Sequence, residues 1–310
     1  MLHSRLLRYL DEVVSSGSIR QAAERLNVAS SSINRQILEL ESKIQVPIFE
    51  RLPRGLRLTA AGEILITHIR QTLRDHDRVQ SRISELRGLN RGTIKVATMS
   101  GLASGVLSRL VVRFREEYPG IKIVVHTYLA DAILNAVEQA DVDFGFGYNL
   151  RADPSLHLLH VFAARLGAIV SAQHPLAKLP GVRLADCCNY PVVLADSTTS
   201  IYRQVHNACV GSKVTLKPTF ETNSVELMKY LAIRDSAVTF LSATDVSEEI
   251  RDGDLVFLRI LDQSLKSHPL AMIHRANTSL ALSPALFAEM LRIETLKLLE
   301  RGHLAQQDMA

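Results

Sequence analysis

Apolar residues recur along the first 60 positions at the spacing of short amphipathic helices. Leu2, Leu6, Tyr9, Leu10 and Val13 fall on one helical face, and Ser15-Ser16-Gly17 ends that helix. Ser18 takes the N-cap of a second helix, with Gln21 three residues on completing a capping box ahead of Ala22, Ala23 and Leu26. Asn27-Val28 turns the chain. A third helix starts near Ser30, with Ile33, Ile37, Leu38 and Leu40 facing inward. Two short helices, a tight turn and small alanines at the crossing predict a helix-turn-helix. The period then shortens. Through Val46–Arg51 and Leu52–Thr59, apolar positions alternate with arginine around Gly55, which predicts a two-stranded wing. A proline-free helix follows, from a Thr59 cap to about Leu89. Leu65, Ile69, Thr72, His76, Val79, Ile83 and Leu86 lie at alternating steps of four and three, a narrow seam suited to one partner helix. A helix packed on its own body would use the same positions.

From residue 93 strand and helix patterns alternate. Thr93–Ala97, Ile121–Thr127 and Val142–Gly147 read as strands, separated by helices after Ser100-Gly101 and over Ala132–Gln139, a βαβαβ unit with parallel strands. A second unit runs from Leu166–Ser171 through Val192–Ala195, a helix from Ser200, a strand near Phe220, a helix over Val225–Ile233 and strands at Ala237–Leu241 and Leu255–Ile260. The first pattern resumes near Pro269–His274, and Ser283-Pro284 opens a last helix as N-cap and N1. Two α/β halves joined by two crossings imply a central cleft.

Charge divides the chain more sharply than composition does. The 310 residues carry a net +4, with 47% apolar and 22% charged residues, a balance that excludes disorder. Residues 1–58 hold nine Lys+Arg against six Asp+Glu, residues 59–92 six against four, and residues 93–310 the remaining 21 against 22. All the positive excess therefore lies in the first 92 positions, as for a polyanion-binding headpiece on a neutral body. The third helix opens with Ser30, Ser31, Ser32, Asn34 and Arg35 away from its apolar stripe, short polar groups able to reach base edges. Ser18 and Arg20 precede them, and Arg51, Arg54 and Arg57 on the wing suit phosphate or a narrow minor groove.

The ordered set Gly17-Ser18-Ile19, Ala22-Ala23, Leu26-Asn27-Val28, Arg35-Gln36-Ile37, Leu40-Glu41, Phe49-Glu50-Arg51 and Leu58-Thr59-Ala60-Ala61-Gly62 resembles the LysR-type transcriptional regulators. The family often has Gln-Pro at the start of the recognition helix and Ser before the Arg-Gln pair. Ser30-Ser31 and Asn34 stand there instead, so a base preference does not carry over. The body resembles the family's effector domain, akin to periplasmic binding proteins, more loosely through Phe114, Tyr118-Pro119, Val142-Asp143 and His174-Pro175-Leu176-Ala177. Where the family has a glycine-rich turn, this chain reads Ile233-Arg234-Asp235-Ser236-Ala237.

The resemblance implies an α/β chain with an all-α winged helix-turn-helix domain at 1–58, a linker helix and hinge at 59–92, and a two-lobed periplasmic-binding-protein-like domain at 93–310. One lobe takes about 93–161 with 268–310, the other about 162–267. It also implies dimerisation through Leu65, Ile69, Val79, Ile83 and Leu86, pairing of dimers into a homotetramer, and effector-dependent recruitment of RNA polymerase. A dimer presents two recognition helices to an interrupted inverted repeat of double-stranded DNA.

Ligands of open α/β units sit at strand carboxyl ends, where helix starts supply amides. The residues there are Ser100 with Leu102 behind it, Thr127, Phe146 and Tyr148 from one half. Thr199, Ser200, Tyr202, Thr222, Ser224 and Phe240 come from the other. Hydroxyls at two facing helix starts suit an organic anion acting as co-inducer, with one carboxylate near Ser100 and Thr199; several of these hydroxyls also read as plain caps.

No nucleophile elbow, Walker loop or zincin motif occurs, and Gly145-Phe146-Gly147 is no dinucleotide fingerprint, so no catalytic residue, metal or cofactor is expected. His157 and His160 lack companion ligands. Cys187, Cys188 and Cys209 give no disulfide framework and point to a reducing cytoplasm, where the family resemblance implies a place on the nucleoid. They read either as buried thiols or as a redox pair Cys188/Cys209. No signal peptide or membrane span is expected, because Asp11 and Glu12 interrupt the first apolar stretch. The alternatives to a ligand-switched regulator are a binding protein without DNA-regulatory activity and a redox-sensing regulator.

Overall fold

The computed structural model describes residues 5–52, 55–85 and 92–304. Leu2, Arg54 and Leu86 lie outside the described residues, as does the side chain of Arg51. The chain separates into two compact units, Met1–Ile83 and Ser84–Ala310.

In the first unit, α1 (Arg5–Ser16), α2 (Ile19–Leu26) and α3 (Ser30–Ile44) precede a ribbon of β1 (Phe49–Leu52) and β2 (Gly55–Leu58), then α4 (Ala60–Glu85). The core is Leu10, Val13, Ala22, Ala23, Ile33 and Ile37, closed from the side by Ile66 and Ile69 of α4. Each buried aliphatic side chain here contributes roughly 1.5–3 kcal/mol. Asn27 ends α2 in the left-handed conformation, its N–H reaching the Ala23 and Glu24 carbonyls. The capping box expected at Ser18 does not form: Ser18 has the cap backbone but its side chain caps nothing. Its carbonyl instead accepts from the Ser16 hydroxyl at 3.1 Å. Leu38 is another departure, 47% exposed rather than inward. It follows Ile37 directly, and adjacent helical residues cannot share a face.

The start of α4 is welded to the wing. The Thr59 hydroxyl accepts from Gly62 N–H at 3.0 Å and donates to the Pro47 carbonyl at 2.7 Å. Glu41 Oε1 accepts from the Ile48 and Phe49 amides at 2.7 and 3.2 Å. The expected α4 seam is therefore split. Leu65 and Ile69 pack into their own headpiece, whereas Val79 and Ile83 are each 47% exposed. Among the described seam residues, only the distal ones, Val79 and Ile83, are left exposed.

The second unit has two lobes. The first is a sheet ordered β4 (Ile121–Thr127), β3 (Gly92–Thr98), β5 (Phe144–Tyr148), β12 (Leu270–Arg275), β6 (Leu156–Phe162). Its β3 runs parallel to β4 and β5, while β12, returning from the other lobe, is antiparallel to β5 and β6. Alternation along β5 sends Phe144, Phe146 and Tyr148 into a core with Phe114 and Phe287. Gly145 faces α7 (Ala130–Glu138), where a Cβ would stand 2.7 Å from Ile133 Cγ2. Its glycines thus serve helix–sheet packing, not phosphate. The single helix expected after Ser100 is broken into α5 (Ser100–Ser104) and α6 (Val106–Glu117). Gly105 marks the break because the Thr244 carbonyl of the other lobe approaches to 2.1 Å of where its Cβ would be, and accepts from Val106 N–H at 3.1 Å.

In the second lobe β7 (Leu166–Ser171) lies between β10 (Thr239–Ser242) and β11 (Leu255–Arg259), antiparallel to both. The expected parallel order holds for β8 (Val193–Ala195) beside β9 (Phe220–Thr222), and for the Val192–Val238 bridge to the β10 segment. Helices α8 (Leu184–Cys187), α9 (Ser200–Ser212), α10 (Val225–Arg234) and α11 (Ser247–Asp252) cover it. Ser236, in the charged turn, takes φ +48°, the left-handed conformation that favours glycine. The last helix, α12 (Leu282–Leu304), begins at Leu282, one residue before the expected Ser283 cap, with Pro284 still in its first turn.

Gly62→Ala reverses the usual helix preference. A Cβ at Gly62 would sit 2.2 Å from the Ile48 carbonyl oxygen. Alanine ordinarily favours a helix by about 1 kcal/mol. Here denaturant unfolding of the headpiece is expected to show a loss of roughly 2 kcal/mol or more, and a gain would mean that α4 does not abut the wing.

Candidate nucleic-acid interface and interlobe cleft

The outward face of α3 forms a shallow groove of about 610 Å³ lined by Ser31, Asn34, Arg35, Leu38, Ser42 and Lys43 among others. Ser30, Ser31 and Arg35 are exposed, and Ser32 and Asn34 are half-buried at the same helix start. Sequence reasoning missed Leu38, Ser42 and Lys43; helical spacing from Ser31 and Arg35 would have found them. The cations start out paired with exposed acids: Arg35 with Glu39 at 3.7 Å, Arg20 with Glu24 at 3.2 Å, and Arg57 with Glu50 at 2.6 Å. The Glu50 contact also raises the Arg57 pKa. Exposed pairs of this kind contribute about 0–1 kcal/mol, so a phosphate displaces the acid at little cost.

In the other unit, the carboxyl ends of β3 and β4 bring Ser100 and Thr127 together, both exposed, with Thr98 in register with Thr127. The ends of β8 and β9 do the same for the second lobe, with Ala195 beside Thr222 and α9 and α10 starting just beyond. The two sets face each other across the lobe contact. A Cβ on Gly101 of α5 would stand 3.1 Å from Val225 Cγ1, the first residue of α10.

Not every candidate residue faces the cleft. Leu102 and Phe146 are fully buried in the first-lobe core and Phe240 in the second, because strand alternation and helix packing turn them inward. Tyr202 lines a small apolar cavity of about 180 Å³ beside Cys209 and stacks on His206 at 5.6 Å. Three hydroxyls work as caps: Thr199 accepts from Tyr202 N–H at 3.1 Å, Thr222 from Ser224 N–H at 3.0 Å, and Ser224 from Leu227 N–H at 3.3 Å. Ser100, Thr127 and Ser200 keep hydroxyls with no such intramolecular role among the described residues.

Tyr148 belongs to a buried polar cluster between the lobes. Its hydroxyl meets the Thr244 hydroxyl and donates to Asp245 Oδ1 at 3.2 Å. Ser242 N–H donates to the other Asp245 oxygen at 3.1 Å. Lys229, 3% exposed, lies 2.8 Å from Glu249 and 3.1 Å from Glu226, and donates across the lobes to the Ser104 hydroxyl at 3.1 Å. Ser104 in turn bonds Glu226. On the other side, the Tyr148 ring stacks on His268 at 4.2 Å, whose Nδ1 bonds Asn149 at 3.1 Å. Burial pushes His268 down to about 4 and raises Tyr148 further above its ordinary range. The carboxyl-end rule that led to Phe240 would have reached Ser242, Thr244 and Asp245 two to five residues on.

Burial pushes the Cys187 thiol up to about 12 and raises that of Cys209. Protonated thiols are poor nucleophiles toward peroxide. His157 packs on His274 and His160 on Phe162. Among the described residues no cluster of three or more His, Cys, Asp or Glu could hold a metal, and no helix is long and apolar enough to cross a membrane.

Comparison with known proteins matches both units to one family. Residues 4–63 match the bacterial regulatory helix-turn-helix protein, lysR family, and residues 87–295 match the LysR substrate binding domain. The chain is 29% identical over 245 residues to the transcriptional dual regulator GltC of Bacillus subtilis, covering 79% of this chain and 82% of that one. It is 25% identical over 256 residues to the transcriptional activator CmpR of Synechocystis sp., covering 83% and 84%. Its fold is similar to full-length CbnR, solved in complex with its target DNA, with a TM-score of 0.67 at 21% identity over 94% of this chain and 99% of that one.

The cluster predicts a pH signature. Burial pushes Asp245 up to about 7, against about 3.9 for an unfolded aspartate. Between those values the folded chain holds a proton that the unfolded chain has released, so this group's contribution to stability falls as pH rises through the window and stays lost above it. His268 changes stability in the opposite sense at acid pH, but it is common to parent and variant. Relative to the parent, the thermal midpoint of Asp245→Asn is expected to rise by roughly 5 °C between pH 5 and pH 8. An unchanged difference would mean the carboxyl is ionised throughout.

Proposed function

The chain belongs to the LysR family of bacterial transcriptional regulators, which are not enzymes, and from that premise we propose that it grips an interrupted inverted repeat of double-stranded DNA as a dimer and is switched by an organic anion in its interlobe cleft. The observation that carries the DNA reading is the outward face of α3, where Ser31, Asn34, Arg35, Ser42 and Lys43 surround Leu38 and Glu39, on a helix held from behind by Ile33 and Ile37. That CbnR was solved with its target DNA supports the same reading. In this reading Ser18, Arg20, Arg51, Arg54 and Arg57 contact the backbone, while Ser31, Asn34 and Arg35 reach bases. Val79 and Ile83 supply the dimer seam, with dimers pairing into tetramers. The functional divisions fall near residues 59 and 92. The protein works in the cytoplasm on the nucleoid and acts through RNA polymerase.

The effector reading rests on the facing strand ends. Ser100 and Thr127 from one lobe and Ser200 from the other keep hydroxyls for a small carboxylate, and the polar interlobe cluster lets the lobes change their approach without exposing an apolar core. Effector shifts the equilibrium only by its differential affinity for the two arrangements.

Arg35→Ala is expected to lower affinity for a mapped operator by about 1–3 kcal/mol while binding to random DNA falls less. Equal losses on both would assign Arg35 to phosphate. Ser100→Ala and Ser200→Ala are expected to weaken the response to an identified effector, whereas Thr199→Ala is expected to cost about 1 kcal/mol of stability as a lost cap. A full response in both serine variants would move the ligand elsewhere.

A further inference from the structure

We propose that the face of the second unit where the chain crosses between lobes holds a second ligand site, for an organic anion with an apolar body. A cavity of about 540 Å³ lies there, within the size range of small-molecule sites. Both crossings wall it: Ala163 and Arg165 from the first, and the 260–267 segment from the second, with Leu299 of α12 and Phe257 of β11.

Its cations stand apart from acidic partners. Arg165, Arg259 and Lys266 are exposed around the cavity, and none forms an ion pair among the described residues. The acid on the lining, Asp262, accepts from Leu184 N–H through Oδ2 at 2.8 Å, and its single charge leaves the lining two positive charges in excess. Three like charges around one concavity raise one another's energy and are relieved by an anion.

The walls are built rather than loose. Val182 N–H donates to the Arg259 carbonyl and Leu261 N–H to the Val182 carbonyl, each at 2.9 Å, fixing the backbone on both sides of Ile260. Ser264 donates to the Ala208 carbonyl at 2.9 Å, and Gln204 to the Ser267 carbonyl at 3.1 Å. His268 N–H ties the second crossing to the first through the Ala164 carbonyl at 2.9 Å. Phe257 is seated over Gly167, where a Cβ would come within 2.4 Å of the ring. With Leu265 and Leu299 it gives the cavity an apolar wall beside the cations. An inorganic ion would leave that wall unused, and a duplex backbone does not enter a concave pocket. An aryl or alkyl carboxylate, or the corresponding phosphate ester, matches both parts.

Naphthalene-2-carboxylate, followed by its own fluorescence, is the probe, used on the full chain. Saturable binding is expected. It should weaken by about tenfold or more in the triple variant Arg165→Gln, Arg259→Gln, Lys266→Gln. It should also be blocked in Ala163→Trp, which fills the cavity from an exposed position. Ser100→Ala and Ser200→Ala should leave unchanged the binding that the triple variant loses, which separates this site from the interlobe cleft. The neutral carboxamide should bind weakly and ignore the triple substitution. The proposal is overturned if the probe does not bind, if both pocket variants bind it as the parent does, if the serine variants alone abolish binding, or if inorganic phosphate competes as strongly as the probe.

Discussion

The second unit is arranged around a lysine that is almost entirely shielded from water. An ammonium taken out of solvent costs several kcal/mol unless charges and acceptors surround it. Lys229 has Glu249, Glu226, the Ser104 hydroxyl and the Asp245 carbonyl within reach. Satisfying it brings α10, α11 and the Ser242–Asp245 turn of one lobe onto α5 of the other. Nothing larger than hydrogen fits where they meet, which accounts for Gly101 and Gly105 and for the break between α5 and α6. The lobes therefore touch through a small number of directional, exchangeable contacts. An apolar contact of the same extent would be harder to open and would report less to a polar ligand.

Much of the architecture was legible because several local signals agreed. In the headpiece, helical spacing, the Asn27 turn, the alternation around Gly55 and the Thr59 cap all pointed the same way, and the packed core of Val13, Ala22, Ile33 and Ile37 follows from them. Where one signal stood alone it misled. Ser18 has a capping sequence, but its backbone carbonyl rather than its hydroxyl is engaged. Leu38 is apolar, but its angular position puts it on the outward, exposed side of α3. A heptad count along α4 ignored competition from the chain's own headpiece, which claims Leu65 and Ile69.

The cleft was legible to the level of strand ends, not of side-chain direction. Ser100, Thr127 and Ser200 lie where parallel strands end, a property of chain order alone. Phe146 and Phe240 share that address, yet alternation turns them into the cores. Lys229, Thr244 and Asp245 come together only through the contact between lobes, which no local pattern encodes. The crossing-face cavity is unreadable for the same reason: Arg165 and Lys266 are a hundred residues apart and meet because the chain returns.

The welding of α4 to its headpiece makes that helix a ruler as well as a seam. Its proximal turns are fixed to the body that carries α3; Ile64 is exposed within them, and the exposed seam positions Val79 and Ile83 lie further out. Each helical residue advances about 1.5 Å and turns about 100°. The chain length between Ile69 and Val79 therefore sets both how far the headpiece stands from the distal exposed positions and in which direction the outward face of α3 points relative to them. Lengthening that stretch by one residue would swing the outward face of α3 by more than a quarter turn relative to Val79 and Ile83 while leaving every contact inside the headpiece intact. The angle between the two is written in the count of residues, not in their identity.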